Sequence, residues 1–135
     1  MLPTRYTFSK DERLTNKLLL KRLFSEGASF VIPPFRVIYL KDKELPFKAA
    51  TQLAISVPKK KLRRAPERNR IKRLTRESWR HQKPYLSSSL TENNERLAVF
   101  FIYLDYQLVP YSVVDKSIEK IIQRITGNGA SKKNS

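Results

Sequence analysis

The run Leu97–Leu104, LAVFFIYL, constrains the fold of this chain more than any other segment, because all of its side chains are apolar or aromatic. A strand with one face in water would alternate polar and apolar residues. An unbroken apolar run instead predicts a strand covered on both faces, at the centre of a sheet. The rest of the chain must therefore supply neighbouring strands and covering helices.

Three more segments predict strands. Phe35–Leu40 alternates, with Phe35, Val37 and Tyr39 on one face and Arg36, Ile38 and Leu40 on the other. A second alternating segment covers residues 53–57 and stops at a proline. Ser29–Ile32 is β-prone, but two prolines follow it directly, so we expect a short or edge strand there.

Helical spacing of apolar residues predicts a first helix from Thr15 to Gly27, with glycine as its C-terminal stop. The segment Ser9–Glu12 also fits a capping box, which would start this helix earlier. A last helix is predicted over Ser112–Ile125, with Ser112 as its N-cap and an isoleucine-rich stripe facing the core.

The most basic part of the chain also predicts a helix, which begins near Pro66 and ends at or before Lys83 because Pro84 follows. The window from residue 59 to residue 83 holds 12 of the 28 Lys and Arg residues and two acids. At 100° per residue, the helix has an inner face and a cationic outer face. The inner face contains Ile71, Leu74, Thr75, Ser78 and Trp79, and the outer face contains Asn69, Lys72, Arg73, Arg76 and Arg80.

The element order is therefore α-β-β-β-α-β-α, an α+β chain of one domain over residues 1–126. Residues 1–8 are expected to form an extended arm, and residues 127–135 a disordered tail. With 135 residues and 40% hydrophobic residues, the chain can bury a core despite its net charge of +16. The chain has no cysteine, no apolar stretch typical of a signal peptide and no run long enough to span a bilayer, so we expect a cytoplasmic protein without a membrane partner.

The charge pattern indicates a polyphosphate partner. Like charges one turn apart repel each other unless an anion lies along them, and Lys and Arg set against phosphates release condensed counterions. A solvated surface is the alternative, but such surfaces normally mix Glu with Lys. Enzyme-like groups are scarce, because the single histidine, His81, lies among basic residues and no acidic pair has the spacing of a two-metal nuclease site. The residues alone therefore predict a nucleic-acid-binding protein without its own catalytic groups or cofactor.

The order of residues around the basic helix resembles the bacterial ribonuclease P protein component. The motif is Leu53-Ala-Ile-Ser-Val-Pro-Lys-Lys60, followed by Leu62, Ala65, the run Arg68-Asn-Arg-Ile-Lys-Arg73, and Arg76-Glu77. The resemblance spans roughly residues 8–126. It implies a two-layer α/β sandwich with a four-stranded sheet and a left-handed βαβ crossover, a fold shared with one ribosomal protein domain.

The resemblance also implies that the catalyst is RNA and that this RNA would hold the Mg²⁺. It implies further that the protein binds both the catalytic RNA and the 5′ leader of precursor tRNA. The residues that the resemblance implies bind the catalytic RNA are Arg68, Asn69, Arg70, Lys72, Arg73, Arg76 and Arg80. Its leader residues are Phe24, Ser56, Lys59, Lys60 and Arg68, in a cleft between the sheet and the first helix. Core packing is the alternative role for Phe24.

The chain departs from the family pattern at two cleft positions. A second aromatic of the first helix is replaced by Leu20, and the strand aromatic falls at Ile38, with Tyr39 one place away. Since a shift of one residue reverses the face of a strand, the sequence leaves open which of the two faces the cleft.

Two other functions fit the same charge and size. One is a structural RNA-binding protein of the ribosomal type. Such a protein would not stimulate cleavage by a catalytic RNA, whereas a ribonuclease P subunit would. The other is a DNA-binding protein with the basic helix in a major groove. Continuous Arg and Lys suit contacts to phosphate and shape better than base reading, which disfavours this second alternative.

Overall fold

The computed structural model describes residues 12–127. The predicted arm, most of the Ser9–Glu12 capping box and residues 128–135 of the predicted tail lie outside the described residues. The helices are α1 (Lys17–Glu26), α2 (Ala65–Glu92) and α3 (Tyr111–Ile125), and the strands are β1 (Ala28–Ile32), β2 (Phe35–Asp42), β3 (Thr51–Ser56) and β4 (Arg96–Tyr103). Their order along the chain is the predicted one.

The four strands form one mixed sheet in the order β1-β2-β4-β3. β4 runs antiparallel to β2 and parallel to β3, and α2 makes the crossover between the two parallel strands. β4 is thus an interior strand, as its apolar run predicts, and β1 is an edge strand. The α+β class with a four-stranded sheet is confirmed.

Each face of the sheet has its own apolar cluster. On one face, α2 and α3 pack against Phe35, Val99 and Phe101, and this face holds the larger core. On the other face, Leu19 and Leu23 of α1 pack with Ile38 and Ala98. Alternate residues of β4 therefore point into two different clusters, which explains why the strand has no charged residue after Arg96.

The sequence left open whether Ile38 or Tyr39 of β2 faces the cleft beside the first helix, and the structure answers this question. Ile38 packs in the cluster beneath α1. Tyr39 lies on the opposite face, where its ring centroid is 5.9 Å from that of Phe30. Ile38, not Tyr39, therefore faces the same side of the sheet as α1.

The first helix begins two residues after the predicted Thr15. Asn16 is its N-cap, and the Asn16 side-chain oxygen accepts a hydrogen bond from the Leu19 N–H at 3.0 Å. The later of the two possible starts is thus the better description. Gly27 follows the last helical residue, Glu26, and its N–H bonds the Leu23 carbonyl.

The predicted end of the basic helix at Lys83 is wrong, because α2 continues through Pro84 to Glu92. Proline inside a helix costs about 3 kcal/mol, since it removes one backbone hydrogen bond and crowds the preceding turn. Leu86 and Leu90 lie beyond the proline and are buried in the larger core. Burying a leucine contributes about 1.5–3 kcal/mol, so the two together offset the proline.

The predicted cap of the last helix is also wrong. α3 begins at Tyr111, and its N-cap is Pro110, so Ser112 is exposed within the first turn. Asp115 joins the two long helices, because its carboxylate accepts hydrogen bonds from Ser78 at 2.7 Å and Gln82 at 2.9 Å.

Candidate nucleic-acid interface

The two faces of α2 are those that helical spacing predicts. Ile71, Thr75 and Trp79 are buried against the sheet and α3, while Arg73 and Arg76 are exposed. The helix is therefore anchored by its apolar face and presents guanidinium groups outward.

Arg68 differs from the other predicted RNA-binding residues because it is held by the protein itself. Its Nη1 donates to the Leu62 carbonyl at 2.9 Å and to the Arg63 carbonyl at 2.8 Å. These bonds fasten the turn before α2 to the first turns of the helix. Arg68 is half-buried, so part of its guanidinium remains accessible.

Arg76 lies on the flank of α2 that faces the β3 edge. There it lines a groove of about 440 Å³ together with Arg13, Thr15 and Ala54. Partial desolvation lowers the pKa of Arg76, and the positive charge of Arg13 lowers it further. Two cations that disfavour each other's charge in one groove make a site that an anion would stabilise. Lys72, half-buried, lies one turn before Arg76.

Asn69, Arg70 and Arg73 lie on the other flank of α2. With Pro66, the acidic Glu67 and the half-exposed Leu108, they line a second groove of about 500 Å³, in which the two arginines outnumber the single acid. Leu108 belongs to the loop between β4 and α3, so this loop forms the outer wall of the groove. Four of the seven predicted RNA-facing residues thus line two grooves on either side of one helix, Arg76 in the first and Asn69, Arg70 and Arg73 in the second.

The far end of the basic stretch is paired with acids. Arg80 Nη2 lies 3.4 Å from Glu77 Oε2, and the same nitrogen lies 3.3 Å from His81 Nε2. Lys83 forms an ion pair with Glu12, which fastens the segment before α1 to α2. The excess positive charge therefore lies mainly in the first half of the helix.

Ser56, Lys59 and Lys60 lie where β3 ends. Ser56 is the last residue of the strand, and the two lysines are exposed in the turn that follows. This turn is closed by the Lys61 N–H, which donates to the Pro58 carbonyl at 2.9 Å. Because β3 and β4 are parallel, this end of the sheet also carries the loop after β4.

Phe24 lies on the side of α1 next to the sheet, but its side chain is not in the core. The residue is 54% exposed, and its ring meets the ring of Phe100 edge to face, with centroids 5.2 Å apart. Core packing is therefore the wrong description of Phe24. The pair forms an aromatic surface that water reaches.

Phe100 was not recognised from the sequence as a site residue. It lies directly opposite Ile38 on β2 and Ala54 on β3. Phe100 thus places an aromatic ring on the neighbouring strand, at the same level and on the same face as Ile38. Alternation within LAVFFIYL could have revealed this face, since Ala98, Phe100 and Ile102 share it.

Arg13, which lies before the first helix, was also not predicted as a site residue. Arg13 forms a parallel bridge with Leu53, and the Leu14 N–H donates to the Leu53 carbonyl at 3.0 Å. This pairing carries an arginine from a distant part of the sequence to within the groove of Arg76. Spacing along the chain contains no signal for it.

Within residues 12–127, no group of three or more His, Cys, Asp or Glu side chains is placed to hold a metal ion. In the same part of the chain, no helix has the length and apolar character needed to cross a membrane.

A cationic helix beside an aromatic sheet face offers both kinds of contact that a flexible RNA strand uses, phosphate pairing and base stacking. The chain is thus a small basic α+β protein of the RNA-binding class. The Ribonuclease P family model matches residues 8–126. The chain belongs to the ribonuclease P protein family and is a protein subunit of that ribonucleoprotein endoribonuclease.

Individual relatives agree with this assignment. The ribonuclease P protein component of Porphyromonas gingivalis strain ATCC 33277 is 36% identical over 127 residues, covering 93% of this chain and 91% of the relative. That of Acinetobacter baylyi is 43% identical over 82 residues, covering 58% of this chain and 59% of the relative.

Two solved structures share the fold. The Staphylococcus aureus RNase P protein superimposes with a TM-score of 0.65 at 23% identity, covering 84% of this chain and 94% of that one. The Thermotoga maritima RNase P protein gives 0.64 at 24% identity, covering 84% and 96%.

Proposed function

We propose that this subunit binds the catalytic RNA of ribonuclease P along the outer surface of α2, and the 5′ leader of precursor tRNA on the sheet face beside α1. The observation that carries the proposal is the pair of cationic grooves on the two flanks of one helix. The inner side of that helix is fixed by the core.

The contacts to the catalytic RNA would come from Asn69, Arg70 and Arg73 on one flank and Lys72 and Arg76 on the other, with Arg80 at the far end. Arg68 would act differently, because its bonds to two backbone carbonyls hold the turn that leads into the helix. We expect it to position this turn as well as to contact RNA.

The leader would lie across Phe24 and Phe100 towards Ser56, Lys59 and Lys60. Aromatic rings stack on bases of any sequence, and lysines pair with the backbone, so this combination suits a single strand whose sequence varies. Phe100 supplies a stacking surface where Ile38 offers none.

The chemistry of cleavage would belong to the RNA. In the proposed complex, Mg²⁺ is held by the catalytic RNA and its substrate, and the protein supplies cations that reduce the repulsion between two polyanions. The protein needs no cofactor of its own for this role. Because its proposed substrate is precursor tRNA, we expect the protein to be cytoplasmic.

Reconstitution tests the proposal. The protein is mixed with a bacterial ribonuclease P RNA and precursor tRNA at a magnesium concentration where the RNA alone cleaves slowly. We expect mature 5′ ends from the mixture and none from the protein alone. Arg73→Ala should require more protein for the same rate, while Lys120→Ala, which removes an exposed cation from α3, should behave as the unaltered protein.

Two outcomes would contradict the proposal. Cleavage by RNA-free protein would assign the chemistry to the polypeptide. Tight RNA binding without any stimulation of cleavage would instead favour a structural role of the ribosomal type.

A further inference from the structure

The loop between β4 and α3 carries an exposed aromatic side chain beside the basic helix. Tyr106 is 67% exposed, and among the described residues the other aromatic side chains that are mostly exposed are Phe24 and Tyr85. The Nζ of Lys61 lies 3.9 Å from the centroid of the Tyr106 ring. A cation thus covers part of the ring, while most of the side chain remains open to solvent.

The loop is held in place from below. Tyr103 is buried at the end of β4, and its hydroxyl donates to the Gln107 carbonyl at 2.5 Å. The Gln107 N–H in turn donates to the Asp105 carboxylate at 3.1 Å. Tyr106 lies between these two anchored residues, so its ring projects from a loop whose backbone is fixed on both sides.

The charge around Tyr106 suits a polyanion. Hydrogen bonding to Lys61 lowers the pKa of the Tyr106 hydroxyl, and the charge of Lys60 acts in the same direction. Two residues further on, Leu108 forms the wall of the groove that contains Asn69, Arg70 and Arg73. An RNA strand whose phosphates lie along this groove would pass its bases close to the Tyr106 ring.

We propose that Tyr106 is a stacking site for an unpaired nucleobase of the catalytic RNA, at the end of the groove formed by α2 and the β4–α3 loop. The inference rests on the proposed function and adds a contact to it. Lys61 covers one side of the ring and neutralises a neighbouring phosphate, and the base stacks on the open side. Stacking is sequence-tolerant, so the site selects an unpaired base and not a particular one.

The test measures the affinity of the protein for a transcribed bacterial ribonuclease P RNA over a range of salt concentrations. Tyr106→Ala should weaken binding by about 5- to 150-fold, the range for loss of one stacked base. The slope of log K against log salt should stay unchanged, because no phosphate contact is removed. Tyr106→Phe should bind as the unaltered protein, since it keeps the ring.

Matched controls separate this site from the helix. Tyr85→Ala removes an aromatic ring that is 78% exposed on the second half of α2, and it should leave affinity unchanged. Arg73→Ala should lower both the affinity and the slope, the latter by about 0.7–0.9. Circular dichroism and Trp79 emission should show that every variant is folded.

Unchanged affinity in Tyr106→Ala, with the Arg73→Ala losses intact, would overturn the inference and leave the proposed function standing. Unchanged affinity in both variants would overturn the proposed function itself. If Tyr106→Ala weakened only holoenzyme binding to precursor tRNA with a leader, the stacked base would belong to the leader. The assignment to the catalytic RNA would then be wrong.

Discussion

Phe24 is the residue for which the sequence left two roles open, contact with the leader and packing in the core, and its exposure excludes the second. Because it is exposed and meets Phe100, Phe24→Ala should leave the fold intact and weaken holoenzyme affinity for precursor tRNA that carries a leader. Loss of one stacking contact costs about 1–3 kcal/mol. Binding of leaderless tRNA and of the catalytic RNA alone should change little.

Phe100→Ala provides the companion measurement. It should give the same selective loss, and the double variant should lose less than the sum of the two, because the rings support each other. Equal weakening for tRNA with and without a leader, measured by equilibrium binding, would show that this aromatic surface does not contact the leader.

Trp79 tests how the basic helix is anchored. It is fully buried, its ring meets Phe101 with centroids 5.7 Å apart, and no acceptor within residues 12–127 bonds its indole N–H. Trp79→Ala should lower the free energy of unfolding by about 3–5 kcal/mol. Trp79→Phe should cost less, because it keeps a ring and breaks no hydrogen bond.

Urea denaturation followed by circular dichroism measures both Trp79 variants. The unaltered protein should show blue-shifted tryptophan emission, since Trp79 is its single tryptophan. Emission typical of an exposed indole would contradict the inward orientation of this face of α2.

Asp42 gives the stability a defined dependence on pH. The Arg22 guanidinium, 2.9 Å away, and the backbone N–H groups of Lys43 and Glu44 hold the pKa of Asp42 below its ordinary value. A carboxylate whose pKa is lower in the folded state stabilises the protein above its unfolded pKa of about 3.9. This contribution is lost as the pH falls through the lower, folded pKa.

The variant Asp42→Asn isolates this effect. The unaltered protein should be the more stable of the two from pH 7 to about pH 5, and the difference should shrink as the pH drops below about 4. Thermal unfolding of the two proteins at matched pH values measures it. A difference that stays constant down to pH 2 would mean that the ion pair between α1 and β2 does not act in solution.

At the level of the elements, the sequence correctly predicted the helices and strands whose apolar residues repeat at a single regular spacing. The β4 run, the two faces of α2 and the edge position of β1 are examples. Element ends were harder to predict, because they depend on partners far away in the chain. Pro84 is a local stop signal, and it is overridden by Leu86 and Leu90, whose burial depends on the position of α3.

In the candidate site, too, the features set by local spacing could be predicted and those set by distant partners could not. The exposed cations of α2 could be predicted, because they lie on one face of a single helix. Alternation places Phe100 on one face of β4, but its position opposite Ile38 could not be predicted, because it depends on strand pairing. The position of Arg13 beside Leu53 could not be predicted for the same reason. Their role depends on register, which no local pattern contains.

On the scale of the whole molecule, the two faces of the sheet have separate tasks. The face beneath α2 and α3 carries the larger core and fixes the cationic helix. The other face is covered by one short helix and leaves Phe100 and Ile102 partly open. Stability therefore depends mainly on one face, so we expect substitutions on the aromatic surface to have little effect on folding.

The segment before α1 has a further consequence for behaviour at high concentration. An unpaired edge strand is a template for joining the sheet of another molecule, and such joining leads to aggregation. Here Arg13 and Leu14 bond the outer edge of β3 at Leu53, and Glu12 fastens the same segment to Lys83. At the opposite edge, β1 is five residues long and is followed by Pro33 and Pro34. Neither edge of this sheet is thus an open template for the addition of a further strand.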